Sequence, residues 1–216
     1  MTEPSRQHPD RYDTSGNVET EYLDAEQTVL ANKLGLSTLE TLQLAEEEAL
    51  ARAYESLLTE IRVDTPMTCN LTLHIHQRIF GELYDWAGRW RTVTISKLGI
   101  TWPPPRFVPQ SMDDFERQML REYSPGELAD DGQFCAAVAA IQGEFLTVHP
   151  FREGNARTIK LMTDLFAAQT GRPLLVYDDS DAGRDQYILA AGEAFKMNYR
   201  PLTEVIHAAL AEAKRP

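Results

Sequence analysis

Cysteine is nearly absent: the chain has only Cys69 and Cys135, both in stretches of helical pattern and without the paired spacing that a metal site needs. That excludes a disulfide scaffold and leaves a reduced, cytoplasmic chain as the expectation. Long apolar runs are missing too. None reaches the ~18 residues of a membrane-spanning helix, and Met1 to Asp10 is too polar for a signal peptide, so no membrane association is expected. Secretion as an effector, by a route that needs no such peptide, stays open. Positive charge is scarce: 21 Lys and Arg against 33 Asp and Glu give a net charge of −12. Direct nucleic-acid binding is therefore not expected, because it is driven largely by neutralising backbone phosphates. No repeat or low-complexity tract occurs.

What is present suits one medium-sized domain, since 216 residues with 43% hydrophobic content can bury a substantial core. Residues 1 to 20 are polar, contain Pro4, Pro9 and Gly16, and read as a flexible N-terminal tail, with one domain over 21 to 216. Ser37-Thr38-Leu39-Glu40 reads as a capping box ahead of a helix whose apolar face holds Leu50, Tyr54, Leu57 and Ile61. Further helices are expected over about 70 to 85, 111 to 122, 128 to 147, 156 to 170, 182 to 198 and 202 to 213. The β-branched stretch Thr92 to Ile95, followed by Lys97-Leu98-Gly99 and Ile100-Thr101-Trp102, suggests a short hairpin. The expected class is mostly α. Glu46-Glu47-Glu48 and Asp178-Asp179 read as solvated acidic surface. His74 and His76, two apart, face different sides of a helix and make a poor metal pair, so they and His207 read as structural.

The chemistry concentrates in ten residues, His149-Pro150-Phe151-Arg152-Glu153-Gly154-Asn155-Ala156-Arg157-Thr158. They follow an apolar helix marked by Phe134, Val138, Ile141 and Phe145, which Pro150 cannot continue. Gly154-Asn155 reads as a turn whose asparagine caps a second helix carrying Ile159, Met162, Leu165 and Phe166. A helix start attracts anions, because its first N–H groups are unpaired and its dipole is positive there. His149, with an ordinary pKa near ~6.5, can take a proton from a hydroxyl. Glu153 can hold Mg²⁺, and Arg157 offers a fork of donors to a phosphate. The plainer alternative is a connector in which His149 ends a helix and Glu153 and Arg157 form a solvated pair. The ordered run as a whole makes that a minority reading.

The run resembles the signature of Fic domain proteins, H-P-F-x-D/E-G-N-G-R-x-x-R. Asp85-Trp86-Ala87-Gly88, Arg91-Thr92-Val93 and Ile95-Ser96-Lys97 are similar to the segment leading into that family's substrate-positioning flap, and Pro103 to Pro109 to its far side. The resemblance covers roughly residues 20 to 210. It implies a Fic-fold helical bundle with a β-hairpin flap over the active site, and transfer of AMP from ATP to a hydroxyl side chain of a target protein held at the flap. By the same resemblance His149 would be the general base and Phe151 the loop's anchor in the core. Glu153 would bind Mg²⁺, and the backbone of Gly154, Asn155 and Ala156 would cradle phosphates with the Asn155 side chain and Arg157. Lys97 and Leu98 would lie beside the nucleotide, and Gln186 and Tyr187 would border the adenine.

Two positions depart from the pattern. Ala156 stands where glycine is usual, and its Cβ would disfavour a positive φ and crowd a phosphate. Lys160 stands where a second arginine is usual; it keeps the charge for a γ-phosphate but loses the planar fork, so Lys160→Arg is expected to improve that contact. Transfer of another nucleotide or of a phosphate, and a catalytically weak interaction module, remain as alternatives. Many members of the resembled family carry an inhibitory helix with the pattern S/T-x-x-x-E-G/N. The nearest match here, Ser15-Gly16-Asn17-Val18-Glu19-Thr20, breaks it at Thr20. Inhibition is therefore expected, if at all, from a small antitoxin-like protein in trans, whose glutamate Lys160 would pair with, as in a toxin-antitoxin pair.

Overall fold

The computed structural model describes residues 17–97, 99–123, 128 and 130–215. Among these, the chain forms α1 (Leu39–Glu60), α2 (Cys69–Phe80), a hairpin of β1 (Ser96–Lys97) and β2 (Ile100–Thr101), α3 (Val108–Phe115), α4 (Asp131–Val148), α5 (Asn155–Gln169), α6 (Asp181–Glu193) and α7 (Arg200–Ala213). The strands pair antiparallel, Ser96 opposite Thr101 and Lys97 opposite Ile100. The mostly helical class read from the sequence is the class observed.

α4 organises the rest because it is apolar on almost every face, and a helix without a polar side belongs in the middle. Phe134, Cys135, Val138, Ile141 and Phe145 are buried on it, and α3, α5, α6 and α7 pack around it. Small residues let those neighbours come close. At Gly143 a Cβ would stand 2.8 Å from that of Ala194 and 3.1 Å from the Tyr199 ring. α1 lies on α2, and α2 on α5, so the N-terminal helices reach the core through α5. Phe80, Phe134, Phe145, Phe151 and Phe166 are among the largest fully buried side chains, each contributing roughly 1.5–3 kcal/mol of transfer free energy.

Several boundaries differ from the sequence reading, each for a local reason. The Ser37 to Glu40 box gives way to Thr38, which stays extended and accepts the Thr41 N–H at 3.3 Å. α2 stops at Phe80, and Gly81 to Gly88 run as turns that bury Leu83, Tyr84 and Trp86. α3 widens into a π turn over Glu116–Leu120, and α6 tightens into a 3-10 turn over Ala194–Lys196. Val18–Thr20, inside the segment expected as a tail, form a 3-10 turn with Glu19 buried; residues 1–16 of that expectation lie outside the described residues. Glu19 accepts from the Thr92 N–H at 2.9 Å and from its hydroxyl at 2.9 Å, tying this segment to the base of the hairpin.

Candidate active site

α4 ends at Val148, and His149 caps it in the left-handed region with φ 53° and ψ 60°. Pro150 prevents any continuation. Phe151 then plunges into the core, stacked on His76 with centroids 3.8 Å apart and against Trp90 at 5.0 Å. The chain turns back at Gly154, φ 78°, where a Cβ would stand 2.2 Å from the Phe80 ring, so only glycine fits. α5 begins at the next residue.

The asparagine does not cap α5 as expected. Its Oδ1 accepts the Phe151 N–H and its Nδ2 donates to the Phe151 carbonyl, both at 2.9 Å, which closes the loop on itself. The Asn155 side chain is thereby held inside the loop, and Gly154 at the start of α5 offers no side-chain cap to its first-turn N–H groups. Those N–H groups remain directed at whatever anion approaches. Ala156 sits within this first helical turn and is not among the residues with positive φ. The strain expected for its Cβ therefore does not arise; Gly154 carries the left-handed conformation instead.

Two buried side chains hold this loop: His76, which the sequence reads as structural, and Arg91, to which it assigns no role. His76 Nδ1 accepts the Gly88 N–H at 2.8 Å, so its Nε2–H donates to the Glu153 carbonyl at 3.1 Å. Burial pushes its pKa down to about 3, with Arg157 adding to the shift, and the ring is neutral. Arg91 donates from Nε to the His149 carbonyl at 2.8 Å, from Nη1 to Val93 at 2.8 Å and from Nη2 to Pro103 at 2.7 Å, while its own N–H reaches the Pro150 carbonyl at 2.8 Å. One guanidinium thus joins the motif loop to both limbs of the hairpin. The clue in the sequence is an arginine between Trp90 and the β-branched stretch from Thr92, with Arg89 two residues before it, which is too common a pattern to single out.

The His149 ring lies 4.0 Å from the Trp102 ring, and the Trp102 indole N–H donates to the Leu146 carbonyl at 2.9 Å. His149 Nδ1 faces the same carbonyl at 3.4 Å, a long contact, while Nε2 has no hydrogen-bond partner among the described residues. Burial, with help from Arg91 and Lys97, pushes the imidazole down to about 4 against the opposing pull of Leu146 and Glu153. It is neutral near pH 7 and has a free lone pair, the state a general base needs. Burial tends to raise the Glu153 carboxyl, but the Gly154 N–H at 2.9 Å and the charges of Arg157, Lys97 and Arg152 outweigh it and hold it below the ordinary carboxylate range.

Arg157 does not form the solvated pair considered above. Its Nη1 donates to Glu46 at 2.7 Å, while Glu153 stands 3.6 Å from Nη2. Glu46 also accepts the Tyr84 hydroxyl at 2.5 Å. The acidic run Glu46-Glu47-Glu48 is therefore not uniformly solvated: Glu46 is 7% exposed, because α1 turns that position toward α5.

Glu153, Ala156, Arg157, Lys160, Gln186 and Tyr187 line one cleft of about 820 Å³ between α5, α6 and α7. Val176, Ile188, Val205 and Ala208 form its apolar side. His149 and Lys97 are outside that lining, but the Glu153 charge acts on His149 and the Lys97 charge acts on Glu153. Lys97 is exposed on β1, and Leu98 lies outside the described residues.

Residues 66–167 match the family model of the Fic/DOC family. That match spans just under half of the chain. The protein adenylyltransferase VbhT of Bartonella schoenbuchensis is 29% identical over 151 residues, which are 69% of this chain and 31% of that protein. The chain thus spans about a third of VbhT. The N-terminal FIC domain of the Bep8 protein from Bartonella sp. 1-1C has the same fold, with a TM-score of 0.75 at 18% identity over 88% of this chain and 94% of that one. BepC of Bartonella tribocorum, solved with bound AMPPNP, superposes with a TM-score of 0.71 at 18% identity over 89% of this chain and 97% of that one. Against the Fic signature, His149 to Asn155 and Arg157 match, and Ala156 and Lys160 depart.

Proposed function

We propose that this Fic domain, taken as one unit over residues 21 to 216, is a protein adenylyltransferase that moves AMP from ATP to a hydroxyl of a target protein. The observation that carries this reading is the neutral His149, with Nε2 free, on the same rigid loop as the uncapped start of α5. The AMPPNP bound to BepC supports a nucleotide as the ligand of this fold.

In this reading the target hydroxyl gives its proton to His149 Nε2 while its oxygen forms a bond to the α-phosphorus of ATP. The bond from that phosphorus to the bridging oxygen breaks, and pyrophosphate leaves. The chain supplies positioning and fixed charge more than covalent chemistry. The first-turn N–H groups of α5, Arg157 and Lys160 would hold the phosphates. Gln186 would border the base and Lys97 would lie beside the nucleotide, while the Tyr187 ring faces Lys160. Among the described residues no group of three acidic, His or Cys side chains could hold a metal alone, so Glu153 fits Mg²⁺ only as one ligand shared with phosphate oxygens, the usual Mg²⁺ arrangement. Bound there, Mg²⁺ would neutralise charge on the leaving pyrophosphate.

The hairpin is short and exposed, so a target segment can pair with its edge through main-chain hydrogen bonds. Glu19 is occupied by Thr92 and no ion pair to Lys160 occurs among the described residues, so an inhibitory glutamate would come in trans from an antitoxin-like partner. The reading puts the reaction in a cytoplasm, of the producing cell or of a recipient; no helix among the described residues is long and apolar enough to cross a membrane. Incubating lysate with ATP and the chain, then searching tryptic peptides for an AMP adduct, tests the activity. A UMP or phosphate adduct would replace the donor, and no adduct at all would favour the interaction module.

A further inference from the structure

Lys160 and Arg157 line the same cleft, yet their surroundings are opposite. Arg157 is neutralised by Glu46 at 2.7 Å and approached by Glu153. Lys160 has no carboxylate within ion-pair distance among the described residues. Its nearest acid on α5, Asp164, is committed elsewhere: Oδ2 accepts the Tyr54 hydroxyl at 2.7 Å and Oδ1 the Leu175 N–H at 2.9 Å.

What holds Lys160 is aromatic. Its Nζ stands 4.0 Å from the centroid of Tyr177 and 4.0 Å from that of Tyr187. The two rings meet at 89° with centroids 5.9 Å apart, so the ammonium sits in a right-angled corner and faces both π surfaces. The corner is locked from behind by Gln142, which is fully buried on α4. Its Oε1 accepts the Tyr187 hydroxyl at 2.9 Å, and its Nε2 donates to the Tyr177 hydroxyl and to Thr163, both at 2.8 Å. Gln142 is the kind of buried amide that must have partners at both ends, and here the partners are the two cage walls.

We propose that Tyr177 and Tyr187, fixed by Gln142, are positioning residues that hold Lys160 as the selector for the terminal phosphate of the nucleotide, in a corner shaped for lysine and not for arginine. The proposal rests on the nucleotide-transfer reading above. A compact ammonium can face two perpendicular rings at once, whereas a planar guanidinium can lie flat on only one. Neutral rings fix the cation without consuming its charge. Burial pushes its pKa down to about 8, with Arg184 adding and Asp164 opposing, so it is still mostly protonated at pH 7. An unpaired cation held this way is free to meet an anion, while Arg157 is already shared with two carboxylates. The geometry therefore reverses the gain that sequence reasoning assigns to Lys160→Arg.

The test is calorimetric binding of ATP and ADP, each with Mg²⁺, to the chain and its variants. The wild type is expected to favour ATP, and Lys160→Met to lose about tenfold or more of that preference, the scale of a charge-assisted contact. Tyr187→Leu should lose as much of that preference. Tyr187→Phe, which keeps the ring, should restore most of it, and Lys160→Arg should fall below the wild type. The Lys160 ε-methylene protons should be shifted upfield by the two rings in the wild type and not in Tyr187→Leu, a signature independent of any nucleotide. Equal affinity for ATP and ADP in the wild type, or an undiminished ATP preference in Lys160→Arg, overturns the selector and leaves the nucleotide site standing. If no nucleotide binds at all while the upfield shift is present, the transfer reading fails and takes the selector with it. Should Tyr187→Leu not fold, Lys160→Met and Lys160→Arg decide the matter.

Discussion

The motif loop and the hairpin flap face each other across Arg91 and are built in opposite ways. The loop is over-determined: Phe151 fills the core, Asn155 closes it, His76 holds Glu153, and Arg91 holds His149 and Pro150. The hairpin has two strands of two residues, exposed except at Ile100, with one cross-strand side-chain bond between Ser96 and Thr101 at 2.9 Å. A general base must stay within a fraction of an ångström of its proton, whereas an edge that accepts varied target segments gains from having little of its own to disrupt. Rigidity sits where bonds change, and slack sits where partners change.

The strongest way to break that contrast is at the base itself. His149→Ala should lower transfer by about a hundredfold to ten-thousandfold, the range of a lost general base, with ATP binding retained in a calorimetric titration. Next, Phe151→Ala should cost about 3–5 kcal/mol in urea unfolding, since it empties a site touched by His76, Trp90 and Phe145. An effect below about 1 kcal/mol would mean the loop is not anchored through the core. Arg91→Met should cost about 3 kcal/mol, because it strands buried carbonyls of both regions, and should lower turnover together with stability. At the other extreme, Ser96→Ala should change unfolding free energy by less than about 0.5 kcal/mol. If it cost as much as the loop variants, the contrast itself would be mistaken.

Acidity sharpens the same comparison. His149 must be neutral to act, and its pKa lies at about 4, so the acid limb of the transfer rate should fall near pH 4 and not near the ~6.5 of a free imidazole. Stability has a related dependence. His149 and His76 are held neutral in the folded chain, with pKa values of about 4 and about 3, below those of the unfolded chain. Their contribution is fully present above ~6.5 and is lost as pH falls toward 4, because the unfolded state takes up the protons first. A chemical-denaturation series from pH 7 to pH 4 reads this, and His76→Gln should flatten part of the slope.

The helices and the motif were legible because their signals are local: apolar spacing for α4 and α5, a proline stop after His149, and a glycine at the turn, where φ is 78° and only glycine fits. What escaped was what depends on three-dimensional neighbours. Glu46 lies in an acidic run that reads as surface until α1 docks against α5 and gives it Arg157 and Tyr84. His76 and Arg91 look ordinary until the turns at Gly81 to Gly88 bring them to the loop. Asn155 reads as a cap from its place before a helix, but the loop offers it two backbone partners and it bonds to both. Lys160 showed only as a departure from a pattern; its cage comes from Gln142, Tyr177 and Tyr187, which are far apart along the chain.

Labelling decides the central claim, that a neutral His149 drives transfer of the α-phosphate with its nucleoside to protein. Lysate is incubated with the chain and ATP labelled either at the α- or at the γ-phosphate, and the protein fraction is counted. Label from the α-phosphate alone, absent with His149→Ala, is the predicted result. Label from the γ-phosphate, or α-label undiminished in His149→Ala, would contradict it.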